Sequence, residues 1–238
     1  GKLRNAVFVH DFESPLLHKL TWPKVSWAPG LFDLDNDTDL DLFFANGHLN
    51  SVSGDNRQAN LLFENDGGGR FSDISDKSGV LSTGKRIHRS AIFADYDDDG
   101  RVDIFVTVNG QQVEDGKGNN VFDPNQGKGI LFHNDTKNNN NWLKVRLEGT
   151  KSNRDGLGSK VKIKSGAFTD EKALVSGEGY FSSSAKEIYF GLGETTSIDK
   201  LTVLWPSGHD DIFENIKANQ TVYIVEGKQL YQDTLRSP

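Results

Sequence analysis

The chain has 238 residues, room for one or two domains with a substantial core, and none of its apolar runs approaches the roughly 18 residues of a membrane-spanning helix. It has no cysteine, which excludes disulfides and thiol chemistry, and no methionine even at position 1, so a processed product or an excised piece is expected. The net charge is −7, but ten aspartates sit in two nine-residue loops; the remainder is nearly balanced, and no basic stripe for nucleic acid is present.

The first half reads as two cycles of one pattern. A strand from Ala6 to Val9 and a polar connection lead through Trp22 to Trp27 into the loop Asp33-Leu34-Asp35-Asn36-Asp37-Thr38-Asp39-Leu40-Asp41. An apolar run to Asn46 follows, then Gly47-His48, a polar loop to Ala59 and a strand from Asn60 to Asn65. Asp66-Gly67-Gly68-Gly69 supplies the positive φ that a hairpin turn demands before Phe71 to Ile74. The cycle restarts with Arg89 to Ala94, the loop Asp95-Tyr96-Asp97-Asp98-Asp99-Gly100-Arg101-Val102-Asp103, a run to Asn109 and a segment from Gly129 to Asp135. Asp33 and Asp95 are 62 residues apart, while Leu62-Phe63 and Leu131-Phe132 are 69 apart, which places an insertion at 110–128. Repeats of this size predict propeller blades of about four strands each.

Both loops carry carboxylates at positions 1, 3, 5 and 9. Alternate residues of a tight turn point to one centre, and clustered carboxylates repel one another unless a cation neutralises them. Hard oxygen ligands on a flexible loop suit Ca²⁺, which takes about 6–8 oxygens, better than Mg²⁺ with its strict octahedron. Two bound Ca²⁺ ions are therefore expected, one on Asp33, Asp35, Asp37 and Asp41 with Asp39, and one on Asp95, Asp97, Asp99 and Asp103, with the position 7 carbonyls of Asp39 and Arg101 completing the sets. An acidic turn on a solvated surface is the alternative for a single copy; the repetition argues against it. The loops are not EF-hands, since the glutamate at position 12 and the flanking helices are missing.

Asn138 to Asn141 is a polar run that cannot pack a core and marks a boundary. Beyond it, Trp142 to Glu148 and Ser159 to Ser165 alternate apolar and polar residues, as strands with one buried and one wet face do. Further short strands are predicted at Ala173–Val175, 187–190, 200–205, 211–213 and 221–225, which together indicate an antiparallel β-sandwich. The expected division is 1–140 for the blades and their two calcium loops, 141–227 for the sandwich and 228–238 for a polar tail.

These residues carry a resemblance. The apolar run, the Asp-x-Asp-x-Asp loop, Asp41-Leu42-Phe43 and Asp103-Ile104-Phe105, the following Asn-Gly and the Leu-Phe-x-Asn-Asp strand resemble the FG-GAP (VCBS-type) repeats of integrin-like β-propellers. Thr38 departs from that pattern, standing where glycine is usual; because threonine resists positive φ, a differently shaped or weaker first site is expected. The second half, through Asn141 to Gly158, Gly177 to Ser182, Tyr189 to Gly193, Leu204 to Gly208 and Ala218 to Gln220, resembles the ASPIC/UnbV domain. Together the halves resemble the C-terminal part of a cartilage-acidic-protein-type family member. Relatives carry a whole propeller ahead of this domain, whereas two blades leave open strand edges that invite pairing with another chain.

Other constellations carry less. Gly79 to Lys85 fits Gly-x₄-Gly-Lys, but Arg86 stands where a phosphate loop needs Ser or Thr. The six histidines form no close ligand pair, and no Gly-x-Ser-x-Gly elbow occurs. Ser152-Asn153-Arg154-Asp155-Gly156 reads as a turn with an internal Arg–Asp pair, and Trp142 and Trp205 read as sandwich core rather than a sugar platform. The resulting expectation is a secreted, non-enzymatic, calcium-stabilised structural or adhesive module. Its partners would be an extracellular protein or matrix, or further copies of itself as an oligomer or fibre. A glycan-binding module, and an enzyme acting on polysaccharide or a secondary metabolite, are the alternatives.

Overall fold

The computed structural model describes residues 15–49, 56–110, 112–114, 120–122 and 127–232. The predicted strand Ala6 to Val9 and the last residues of the tail lie outside them. The described part is all-β apart from a short helix, α1 (Pro15–Thr21), and a single 3₁₀ turn at Val80–Thr83. That turn occupies the Gly79–Lys85 segment, and the strand that follows it is no phosphate-loop helix.

The first blade is a four-stranded antiparallel meander of β1 (Ser26–Phe32), β2 (Asp41–Asn46), β3 (Leu61–Asn65) and β4 (Phe71–Asp73). The second repeats it with β5 (Ile87–Ala94) and β6 (Asp103–Asn109), carries the hairpin β7 (Gln112–Glu114) and β8 (Asn120–Phe122) on its insertion, and ends on β9 (Ile130–Phe132). Ala28, Phe43, Ala45, Ala91, Ile104 and Val106 form one core between the two sheets. Phe93 lies between them, with ring centroids 4.9 Å from Phe32 and 6.1 Å from Phe43. Each Asp loop joins the first two strands of its blade, so the two loops emerge side by side at one end.

The second half contains β10 (Asn141–Glu148), β11 (Lys160–Ser165), β12 (Phe168–Ala173), β13 (Glu187–Gly193), β14 (Ser197–Leu204), β15 (Asp210–Lys217), β16 (Gln220–Val225) and β17 (Leu230–Gln232). They form two sheets, ordered β13-β10-β16-β17 and β12-β11-β14-β15. Between the sheets pack Leu143, Val145, Val161, Ile163, Phe190, Leu201, Val203, Val222 and Ile224, along with Trp205. Burying a Val, Leu, Ile or Phe side chain is worth about 1.5–3 kcal/mol, and this alternating set is what closes the sandwich.

Three features differ from the sequence reading. β10 and β16 run parallel, because the chain crosses from β15 in the opposite sheet through Ala218 and Asn219 and enters beside the start of β10, where Asn219 N donates to Trp142 O at 2.7 Å. The strand expected at Ala173–Val175 lies earlier, as β12, whose polar run Thr169 to Lys172 carries no apolar signal. Most consequentially, the face of β10 and β13 opposite the core is not wet. It carries the cross-strand pairs Trp142/Gly191, Lys144/Tyr189 and Arg146/Glu187, and these residues close onto the two Asp loops. Lys144 is completely buried.

Candidate metal centre

The two loops have one backbone conformation. Position 4 has φ of 62° at Asn36 and 60° at Asp98, and position 6 has φ of 87° at both Thr38 and Gly100. Their hydrogen bonds match closely, except that Asp37 N also donates to Asp35 Oδ1 at 3.2 Å, whereas Asp97 Oδ1 in the second loop accepts none. Asp33 Oδ1 accepts from Asp37 N at 3.1 Å and Asp95 Oδ1 from Asp99 N at 2.9 Å. Their Oδ2 atoms accept from Thr38 N and Gly100 N, each at 3.0 Å. Asp37 and Asp99 each accept from the amide two residues on at 2.9 Å. At position 9, Asp41 and Asp103 bridge two strands. Asp41 accepts from Leu34 N and Asn65 N at 2.8 and 2.9 Å, and Asp103 from Tyr96 N and Asn134 N at 3.1 and 2.7 Å. Each position 9 carboxylate thus ties its loop to the third strand of its own blade, although it is predicted as a ligand.

In the first loop, oxygens of Asp33, Asp35 and Asp37 converge within 4.8 Å of one another. Asp41 sits beneath them at 3% exposure, and Asp39 Oδ2 packs against Gly67 of the hairpin turn. In the second loop the converging set is Asp95, Asp97 and Asp103, positions 1, 3 and 9 where the first loop has 1, 3 and 5, and Asp97 and Asp99 converge with His133. Arg101 is held by its side chain, with Nε donating to Asn134 O at 2.8 Å and Nη2 pairing with Asp99. His133 was not recognised from sequence. Its only signal is the repeat alignment, which sets it opposite Glu64 in the first blade, a carboxylate that acts on Asp35.

The electrostatics of both loops are unfavourable as they stand. Burial pushes the Asp33 carboxyl up to about 7, and the neighbouring Asp37 and Asp35 add to the rise. Burial likewise pushes Asp41 up to about 6 and raises Asp95 and Asp103, against the pull of amides and, at Asp95, of Lys144. Asp97 Oδ1 is buried and has no hydrogen-bond partner. Convergent, desolvated carboxylate oxygens with one acceptor unused are the donor set of a hard divalent cation.

Thr38 takes the conformation that Gly100 takes, so the predicted difference in loop shape is absent. The strain remains, because a β-branched residue at positive φ costs on the order of 1–3 kcal/mol. Its side chain is exposed, and even a Cβ added at Gly193 would stand 3.9 Å from its Cγ2. Thr38→Gly is therefore expected to raise the melting temperature by about 2–4 °C, for a gain of about 1 kcal/mol. Calorimetry of the two proteins checks this, and an unchanged or lowered midpoint would refute the strain.

Residues 33–106 match the family model described as FG-GAP-like repeat, and residues 149–230 match ASPIC and UnbV. The chain thus resembles an FG-GAP-like repeat followed by an ASPIC/UnbV domain. It is 28% identical over 246 residues to Cartilage acidic protein 1 of Homo sapiens, an alignment covering all of this chain and 32% of that protein. Against Cartilage acidic protein 1 of Mus musculus it is 28% identical over 213 residues, covering 87% of this chain and 28% of the relative. The chain thus spans about a third of the length of these curated relatives.

The β-sandwich supports the site from behind. Gly191 of β13 lies so close to the first loop that a Cβ there would stand 1.9 Å from Asp33 Oδ2. Gly193 N donates to Asn36 O at 2.9 Å. At the second loop, Lys144 Nζ donates to Asp95 Oδ2 at 2.7 Å, and Tyr189 Oη accepts from Asp95 N at 3.2 Å. Asn36 Nδ2 bonds Gly100 O at 3.1 Å and so links the two loops directly.

Proposed function

We propose that this chain is a secreted, non-enzymatic module in which two Ca²⁺ ions, held by Asp33, Asp35 and Asp37 and by Asp95, Asp97, Asp99 and Asp103, brace the seat of the ASPIC/UnbV domain for extracellular protein or matrix interactions. The observation that carries this reading is the shared backbone conformation of the two loops, each with carboxylate oxygens that converge. Asp41 is assigned as a positioning residue for the first loop, and the carbonyls of Asp39 and Arg101 complete the ligand sets. A bound divalent ion supplies positive charge that offsets the mutual repulsion and desolvation of these carboxylates, and its binding free energy adds to the stability of the folded state. The relatives are named for cartilage, which supports an extracellular setting, where weak carboxylate sites find enough free calcium.

The alternatives have less support. Trp205 is 4% exposed and donates through Nε1 to Asp211 Oδ2 at 2.8 Å, so it presents no face to a sugar, and the half-buried Trp142 ring is packed on Gly100. Ser207 and His209 share a turn with Asp211 nearby, but the Ser207 hydroxyl bonds Glu226 and His209 Nε2 faces Asp211 Oδ1 at 2.9 Å. No hydroxyl there is activated by an imidazole.

Native mass spectrometry with calcium and then with chelator tests the reading. Two ions per chain are expected, together with a melting temperature that falls by several degrees on chelation. No bound metal, or a midpoint that ignores the chelator, would refute it. The same spectra decide assembly. Among the described residues β4 and β9 end their sheets and are the strands that a second copy would extend, and a monomer at all concentrations would remove self-assembly from the proposal.

A further inference from the structure

The two loops share a backbone but not an electrostatic setting. Among the described residues, no lysine, arginine or histidine forms an ion pair with any of the five aspartates of the first loop. The second loop is surrounded by them. Lys144 Nζ donates to Asp95 Oδ2 at 2.7 Å and to Asp98 Oδ1, and Arg146 Nη2 lies 3.0 Å from Asp98 Oδ1. Arg101 pairs with Asp99, and His133 Nδ1 stands 3.2 Å from Asp103 and 3.7 Å from Asp97. The side chains of Lys144 and Asp95 are both 0% exposed. Behind Asp33 lies the backbone of Gly191, and the ammonium that acts on Asp33, Lys172, makes no ion pair with it and donates to Tyr189 O at 2.7 Å instead.

An ammonium group buried this deeply is retained only where its charge is paired, and removing its partner strands it at high cost. Its partners here are the first carboxylate of a metal-type loop and the residue at position 4, where the first loop has the uncharged Asn36. We infer that Lys144 is the internal cation of the second loop: it keeps that loop folded and docked on the ASPIC/UnbV domain without a bound metal, whereas the first loop depends on a divalent ion to hold its carboxylates together. This inference rests on the calcium reading above and deepens it by giving the two sites different roles. Lys144 is a positioning residue, and its charge also opposes a second cation beside Asp95, which makes the second site the weaker one.

Hydrogen exchange of the full chain, in calcium and in chelator, tests this residue by residue. In the wild type, chelation is expected to lower protection of the Asp37, Thr38 and Asp39 amides by roughly tenfold or more, and that of Asp99, Gly100 and Arg101 by less than about twofold. In Lys144→Met the second set becomes as sensitive as the first, calcium restores it, and calorimetric titration shows calcium binding at that loop tightened by roughly tenfold. Lys144→Arg restores the wild-type pattern. Equal loss in both loops of the wild type overturns the inference and leaves the calcium reading standing. Indifference of both loops to calcium overturns the calcium reading itself. A second loop in Lys144→Met that still ignores the chelator overturns the role of Lys144. If Lys144→Met does not fold, Lys144→Gln, which keeps a donor and loses the charge, decides in its place.

Discussion

Gly100→Ala is expected to lower the melting temperature by about 6–12 °C, a loss of about 3 kcal/mol. Two costs add at this position. The residue sits at φ 87°, where any Cβ is strained. The new methyl would also stand 1.9 Å from Cε2 of Trp142, so the indole that anchors β10 over the second loop must move. Thr38 shows that the first cost alone is tolerated: it has the same φ, the same bond from its amide to the first aspartate and an open neighbourhood. The loop geometry therefore permits a side chain at position 6, and what forbids one in the second loop is the domain seated on it. A double-mutant cycle with Trp142→Ala checks the assignment. If the clash dominates, the double variant costs less than the sum of the singles by about 1–2 kcal/mol. Simple additivity would attribute the whole effect to φ and remove Trp142 from the explanation.

What the sequence disclosed and what it withheld divide along the range of the interactions. The loops were legible because their logic is local. Carboxylates at alternating positions recur with matching flanks, and Gly67 and Gly69 take the φ of 75° and 78° that the hairpin turn required. The alternation of β10 was legible too, and its apolar residues are in the core as expected. Alternation names two faces, however, and cannot say what the second face meets. Lys144 and Arg146 read as the solvated side of a strand and Trp142 as core, yet all three pack on the second loop, 42 to 49 residues earlier in the chain. Asp98 illustrates the same limit. It looks like one more acid in an acidic run, while in the fold it is the residue that Lys144 and Arg146 share. Burial alone would raise the Asp98 carboxyl, but these two cations hold it below its ordinary value. Thr38 shows the reverse error, since propensity argued for an altered loop and the surrounding hydrogen bonds imposed the common one.

Glu226→Gln is expected to cost about 3 kcal/mol at pH 7, and that cost should fade in acid, since hydrogen bonds to a charged acceptor are worth about 1.5–3 kcal/mol each. Glu226 is 3% exposed and faces the turn of the motif beginning at Ser152. Oε2 accepts from the amides of Thr150, Lys151 and Ser152 at 2.7, 2.7 and 2.8 Å, and Oε1 accepts from the hydroxyls of Ser152, at 3.0 Å, and Ser207. The turn at 150–152 that leads into the motif is thus a cradle for this carboxylate, while Asp155, expected to pair with Arg154, pairs with Lys186 instead. Burial alone would raise the Glu226 carboxyl, but the Ser207 hydroxyl and the three amides pull it down to about 2 from its ordinary 4.5. A carboxylate with a depressed folded value contributes stability that is fully present above its unfolded value. That stability is lost as pH falls from about 4.5 through about 2. Urea unfolding of both proteins in chelator at pH 7, 4 and 2.5 reads the difference directly, and the gap between them should narrow in that order. Asp33 and Asp41, raised from 3.8 to about 7 and about 6, drive stability the opposite way, lost as pH rises from about 3.8 through those values. They are common to both proteins and cancel in the difference. A gap that stays constant with pH would mean that the shape of residue 226, and not its charge, holds the turn in place.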